Sequence, residues 1–220
     1  MKKIVLFGSG GHAKVIADII EKESRCKICG IIDPQKSIGS KILGYPVLGT
    51  ENELPNIIKK FCIDGGIIAI GDNWKRHLIA QIVLKLAPEF KFFSTIHPSA
   101  QIAKQVTLGK GTVVMPGAVI NPGTKIGEFC IINTNSSIDH DNIVGNYSSI
   151  MPNAATGGNV KVGDFSALGM GCSILQNIQI GAQNVIGAGT IILENTPDNA
   201  VVFGSPAKVI KIRKPGDPYL

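Results

Sequence analysis

From Ile96 onward, an aliphatic residue occupies nearly every sixth position: Ile96, Ile102, Leu108, Val114, Ile120, Ile126, Ile132, Ile138, Val144, Ile150, Thr156, Val162, Leu168, Ile174, Ile180, Ile186 and Ile192. These are 17 positions in unbroken register, and Thr156 is the one that is not aliphatic. A helix repeats about every 3.6 residues and a strand about every 2, so neither alone gives a period of six. A hexapeptide repeat does, and it predicts a parallel β-helix whose short strands stack coil on coil. With the aliphatic residue counted first in each hexad, compact residues dominate the fifth position, among them Ala100, Thr112, Ala118, Thr124, Cys130, Ser136, Ser148, Ala154, Ser166, Cys172 and Thr190. Large residues then build flat walls, and compact ones build tight corners.

The chain before the repeats has a different pattern. Lys3 to Phe7 reads as a short buried strand running into Gly8-Ser9-Gly10-Gly11-His12-Ala13, followed by a helix with Val15, Ile16, Ile19 and Ile20 on one face. Lys27 to Ile32 is a second strand, ended by Asp33-Pro34. Thr50-Glu51-Asn52-Glu53 has the form of a capping box ahead of an apolar face made of Leu54, Ile57, Ile58 and Phe61. Gly66 to Ile70 is a third strand. Asn73 to Leu86 is a third helix with Leu78, Ile79, Ile82 and Leu86 inward, and Lys91 to Ser94 is a fourth strand. This β-α-β-α-β-α-β order predicts a small parallel α/β sheet of Rossmann-like type over residues 1–94. A β-helix with a C-terminal tail follows over 95–220.

Composition narrows the partners. Apolar residues make up 44% and aromatics only 5%, which suits a core of stacked Ile and Val and disfavours aromatic-led binding of single-stranded nucleic acid. The net charge of +6 is spread along the chain apart from Lys208, Lys211, Arg213 and Lys214. Without a concentrated basic stripe, small phosphorylated ligands are a better match than nucleic acid. The basic cluster is read two ways, as a contact for coenzyme A phosphates or as a solvated tail. Ile4 to Phe7 is shorter than the roughly 7–15 apolar residues of a signal peptide core. No run approaches the roughly 20 of a membrane span, so the expected location is cytoplasmic. Five cysteines fit a reducing compartment. Cys26 and Cys29 form a CxxC without a second pair, so no metal site is expected.

Two places carry candidate chemistry. Glycines in the Gly8–Ala13 turn let backbone approach a phosphate at a helix N-terminus, where unpaired N–H groups favour anions. Asp33 stands about where a ribose-binding acid would. The same glycines are also what a tight βα turn needs. Only one mononucleotide-sized half precedes the repeats, which favours a nucleotide or nucleotide-linked substrate over a dinucleotide. Gly71-Asp72-Asn73 follows the third strand at the same sheet edge, where Asp72 and Asn73 serve equally as helix caps or ligand contacts. The second place is His140, third in its hexad and flanked by Asp139 and Asp141. A histidine whose second nitrogen is held by a carboxylate is the usual general base, although a solvated polar corner has the same local sequence. His77 reads as a surface residue and His97 as a junction residue.

Gly8-Ser9-Gly10-Gly11-His12-Ala13-Lys14-Val15, Ile68-Ala69-Ile70-Gly71-Asp72-Asn73, Ser137-Ile138-Asp139-His140-Asp141 and Gly204-Ser205-Pro206-Ala207-Lys208 together give a resemblance across almost the whole chain. It resembles the hexapeptide-repeat sugar acetyltransferases of the sialic acid O-acetyltransferase and bacillosamine-pathway N-acetyltransferase group. That resemblance implies a Rossmann-like domain, a left-handed β-helix and a homotrimer with active sites between subunits. It further implies acetyl-CoA as co-substrate and a nucleotide-linked amino sugar as acceptor, with a sialic-acid-like hydroxyl as the alternative. By the same resemblance His140 is the base and Asp141 its orienting acid, and the Gly158 N–H meets the thioester oxygen. Met170 and Ala188 line the pantetheine channel. Gly10, Gly11, His12, Asp33, Pro34 and Gly71 form the nucleotide-sugar site. Some relatives carry a second, cofactor-contacting histidine where this chain has Ser149. Two other classes stand beside this expectation: an NAD-binding module with an inert solenoid, and a metal-dependent lyase, which lacks the roughly three convergent histidines zinc would need.

Overall fold

In the computed structural model, which describes residues 1–217, Ile4 to Phe7 are fully buried within β1 (Lys2–Phe7). A strand covered on both faces reads as a continuous apolar run, which is why this segment lacks alternation. β1 pairs in parallel with β2 (Cys26–Ile32), and β2 with β4 (Tyr45–Gly49). A short β3 (Lys41–Ile42) adds antiparallel to β4, and β5 (Gly65–Ile68) closes the other edge, giving the order β3-β4-β2-β1-β5. Helices α1 (Gly11–Glu23), α2 (Leu54–Phe61) and α3 (Asn73–Leu86) follow β1, β4 and β5. The Thr50–Glu53 capping box is present, with Glu53 accepting from the Thr50 N–H at 2.8 Å.

Several expectations for this part need correction. β3 and β4 were not anticipated, because Pro46 and scattered glycines break the apolar run there. Lys91 to Ser94 contributes only an isolated parallel bridge between Gly66 and Phe92. In α1 the buried face is Ala13, Ile16, Ala17, Ile19 and Ile20, and Val15 is exposed. In α3 the side chains of Arg76, Ala80 and Val83 are buried, and Leu78 and Ile82 are exposed. His77 is half-buried rather than a surface residue. A buried arginine inverts the apparent apolar stripe. Its guanidinium donates to the carbonyls of Ile70 and Gly71, both at 3.0 Å.

The chain divides into two compact units, Met1–Gly71 with Lys75–Pro98, and Asp72–Trp74 with Ser99–Leu220. The second holds the repeats. Two-residue strands pair in parallel with those one coil away, as Ile120 does with Ile102 and with Ile138. Three faces result, in the architecture of a left-handed parallel β-helix. The first face contains Gln101–Ile102, Val119–Ile120, Ser137–Ile138, Ala155–Thr156, Ser173–Ile174 and Ile191–Ile192. The second runs from Thr107–Leu108 to Gln179–Ile180. The third includes Val113–Val114, Ile131–Ile132, Ser149–Ile150, Ala167–Leu168 and Val185–Ile186, and is extended by Ala200–Phe203 and the antiparallel Lys208–Ile212.

From Val114 onward every member of the aliphatic row is buried, Thr156 included. The fifth positions from Thr112 to Thr190 are buried too. Several of their polar members close the corners by reaching the carbonyl of the coil above. Thr112 donates to Gly127 O (2.8 Å), Ser148 to Gly163 O (2.9 Å) and Ser166 to Gly181 O (2.7 Å). The fourth position takes positive φ throughout, from Gln105 (63°) to Gly189 (65°), as the third residue of a type II turn requires. Where aromatics occupy it, Phe129, Tyr147 and Phe165 stack face to face at 4.9 and 5.1 Å.

Each wall residue therefore sits in a closely stacked lattice with little freedom to collapse. Ile150→Ala, at a fully buried wall position, is expected to cost about 2–5 kcal/mol, read from the midpoint of denaturant unfolding.

Candidate active site

In the first unit, β1 ends at Gly8, whose φ of 100° carries the chain over the end of β5. A Cβ there would lie 3.0 Å from Ile70 Cγ1 and 3.2 Å from Ala69 O, so this glycine serves the turn itself. Gly10 and Gly11 are different: a Cβ at either would meet nothing within 4 Å. Gly10 is the N-cap of α1, with extended backbone and no side-chain cap. The N–H groups of the helix's first turn therefore open toward a cleft of about 480 Å³.

Gly10, Gly11, His12, Asp33, Pro34 and Gly71 all line that cleft. Ser9, Gln35, Glu51 and Lys75 also line it and were not anticipated. Glu51 had been accounted for by the capping box, and Lys75 carries no pattern beyond a helical position. Asp33 is held on both oxygens: Ser9 Oγ donates to Oδ2 at 2.5 Å, and the Gln35 N–H to Oδ1 at 2.8 Å. Burial, together with the nearby Arg76 guanidinium, pushes His12 down to about 4. Its Nε2 is buried without a hydrogen-bond partner, so a neutral imidazole edge awaits a polar ligand.

In the second unit, His140 occupies the corner between the first and second faces. Its Nδ1 lies 2.8 Å from Asp141 Oδ2. Asp141 takes φ of 57°, the left-handed turn conformation, which carries its carboxylate back alongside the preceding imidazole. With Nδ1–H donating to that carboxylate, Nε2 presents a lone pair. Asp139 faces the same histidine, and its carboxylate accepts from Asn121 Nδ2 (2.9 Å) and from the His140 N–H (2.8 Å). Both contacts hold the Asp139 carboxyl below its ordinary range. The hydrogen bond to Asp141, followed by the charge of Asp139, raises the His140 pKa.

Gly158 sits one coil above His140, against the imidazole. A Cβ on it would lie 2.6 Å from both Cε1 and Nε2. At the corner between the second and third faces a side chain of the coil above caps the N–H at the same hexad position, as Asn146 Oδ1 caps Glu128 N and Asp164 Oδ1 caps Asn146 N, at 2.8 and 2.7 Å. Gly158 N–H has no such cap among the described residues. A base with a free lone pair beside an unclaimed N–H is the equipment for acyl transfer.

Met170 and Ala188 are exposed, but they lie at the corner between the third and first faces, across the first face from His140. Ser149 departs from expectation. It belongs to the third-face row Val113, Ile131, Ser149 and Ala167, at most 3% exposed, and its hydroxyl donates to Asn73 Oδ1 at 2.6 Å. Its side chain is engaged inside the second unit. Asn73 itself groups with this unit. Arg213 also leaves the basic cluster: it is 8% exposed and donates to Gln183 O at 3.1 Å. Cys172 is buried, and that burial pushes its thiol up to about 12, so it is no nucleophile.

Residues 3–83 match the family model of the PglD N-terminal domain, and residues 105–140 match that of the bacterial transferase hexapeptide, six repeats. Among curated proteins, the UDP-N-acetylbacillosamine N-acetyltransferase of Bacillus subtilis (strain 168) is 34% identical over 121 residues, 52% of this chain. The match spans about half of that relative's length, 52%. Among solved structures, PerB from Caulobacter crescentus in complex with CoA and GDP-perosamine is 33% identical with a TM-score of 0.88. That match covers 95% of this chain and 97% of PerB. The acetyltransferase domain of PglB from Neisseria gonorrhoeae FA1090 in complex with acetyl coenzyme A is 31% identical with a TM-score of 0.85, covering 95% and 99%.

Protonation can be followed at both histidines by NMR titration. His140 should titrate above its ordinary value of about 6.5, being neutral above that midpoint and charged below it. Asp141→Asn should move the midpoint down, and Asp139→Asn should do so by less. His12 should stay neutral until pH falls to about 4. Gly158→Ala should displace the imidazole and change its chemical shifts without unfolding the chain.

Proposed function

The chain belongs to the hexapeptide-repeat sugar acetyltransferases, and we propose that it transfers the acetyl group of acetyl-CoA to the amine of a nucleotide-linked amino sugar. The observation that carries this is the open Gly158 N–H beside the free Nε2 of His140. Neutral His140 takes the proton released as the amine attacks the thioester carbon, a task worth roughly 10²–10⁴-fold. Asp141 fixes the ring so that Nε2 faces the amine. The developing oxyanion is met by the Gly158 N–H, an interaction on the order of 3 kcal/mol. His140 then returns the proton to the departing thiolate. Every atom is accounted for without an acyl-enzyme.

Gly10, Gly11 and the first turn of α1 are assigned to the diphosphate, which backbone N–H groups hold without reading the base. His12, Asp33, Pro34 and Gly71 complete that cleft. Met170 and Ala188 are assigned to the pantetheine arm. Because they and His140 lie at opposite edges of one face, the acyl site is completed by the corner of a second copy, in a homotrimer. Exposed Leu175, Ile191 and Leu193 on that first face support the assembly. A cytoplasmic location accords with five free cysteines. Among the described residues no helix is long and apolar enough to cross a membrane.

The decisive experiment is incubation with acetyl-CoA and UDP-, GDP- and CMP-linked amino sugars, read by mass. One of them should gain an acetyl group, and a panel left unmodified would sink the assignment. His140→Ala should lose about 10²–10⁴-fold in kcat while keeping the assembly state, which light scattering should place at three chains.

A further inference from the structure

The fifth position of the catalytic hexad is not a hydroxyl, a thiol or an alanine but Asn142, fully buried beneath the turn that carries His140. At several other corners a side-chain hydrogen reaches a carbonyl of the coil above, as Ser148 reaches Gly163 O and Cys130 reaches Gly145 O. Asn142 Nδ2 makes the equivalent bond, to Gly157 O at 3.0 Å, and adds two within its own turn, to His140 O at 3.1 Å and Asp139 O at 2.7 Å. Its Oδ1 is buried and has no partner. A serine, as at position 148, makes the bond to the coil above without an amide oxygen to strand. The amide thus retains an interior cost, and what it gains is the set of bonds from Nδ2.

We infer that Asn142 is a positioning residue that locks the base and the oxyanion donor to each other. Gly157 O and the Gly158 N–H belong to one peptide plane, and in a trans peptide they point in opposite directions. Holding Gly157 O toward the interior therefore aims the Gly158 N–H outward, to the side where the imidazole stands. The same amide group holds the carbonyl of His140, so the base's backbone and the donor's peptide share one anchor. Thr124 braces the other side of the turn: its Oγ1 donates to Asp139 O at 2.8 Å and accepts from the Asn142 N–H at 3.2 Å. Asn142 touches neither substrate, and it acts through the geometry of the two groups that do.

The inference rests on the acetyltransferase reading above, and its test is built to separate the two. Asn142→Ser restores the single bond to Gly157 O found at other corners, and Asn142→Ala removes all three; alanine is already a corner residue at Ala118 and Ala154. With the wild-type chain turning over, kcat should fall by about 10²-fold in Asn142→Ala, the size of effect a misplacement of about 1 Å produces. Asn142→Ser should lie between the two. KM for both substrates should stay within about twofold, and the rising limb of the pH profile should keep its midpoint, because Asp139 and Asp141 are untouched. A kcat per active site within about twofold of wild type in Asn142→Ala overturns the inference, as does a loss confined to KM or to melting temperature. The second arm needs no substrate. The amide resonance of Gly158 in ¹⁵N-labelled protein should shift and exchange faster in Asn142→Ala, and an unchanged signal overturns the inference. A wild-type chain that acetylates no nucleotide amino sugar fails the functional reading instead, and the Gly158 resonance still decides whether Asn142 holds that peptide.

Discussion

Parallel pairing between identical hexad positions one coil apart is the constraint on which the rest of the second unit depends. Each two-residue strand is too short to hold a register alone, and register comes from the interior. From Val114 to Ile192 the first and fifth positions of each hexad are both buried. A slip of one residue would expose the wall and bury a turn. The polar corner side chains add direction, because a hydroxyl at one coil meets a carbonyl of the next. Side chains at equivalent positions therefore lie above one another along the prism.

That stacking builds the candidate site from residues remote in sequence. His140 and Gly158 are brought together because they hold the same hexad position in adjacent coils, not through any local motif. The glycine is needed because the imidazole occupies the space a Cβ would take. The residue in the left-handed conformation, Asp141, is where every turn has one, and its carboxylate is thereby delivered to Nδ1. The geometry of the candidate site is the lattice geometry with His140, Asp141 and Gly158 placed in it. Only the turn residues were altered, and the wall behind them, Ile138 and Val144, is as buried as elsewhere.

Legibility in the sequence followed the same division. The period of six gave the walls and corners directly, since burial on a repeating lattice leaves a repeating trace. The turn position shows itself only in the structure, where Gly111, Gly117, Gly123, Asn135, Asn153 and Asn159 take the left-handed conformation at the fourth position, and so do Phe129 and Tyr147. The first unit was harder to read. There Arg76 is buried and Leu78 exposed, because a guanidinium satisfied by two carbonyls can sit inside while a leucine need not. Ser149 showed the limit of position matching. Its place in the repeat corresponded to a cofactor contact, yet tertiary hydrogen bonding to Asn73 claims its hydroxyl. Asn142 was visible only as a polar corner, and its three acceptors come from two coils that no local pattern links.

The exposure of His140 bears on how its basicity is set. In the single chain the imidazole is mostly open to water, and the carboxylates of Asp141 and Asp139 raise its pKa. Covering the first face with a second copy would desolvate the ring, and desolvation disfavours the charged form. In such a contact the two influences would oppose each other. A general base works best with its pKa close to the working pH, where it is both neutral and a willing acceptor. Two carboxylates would be excessive for a histidine left in open water. They would be proportionate for one that keeps its basicity once a neighbouring copy excludes that water.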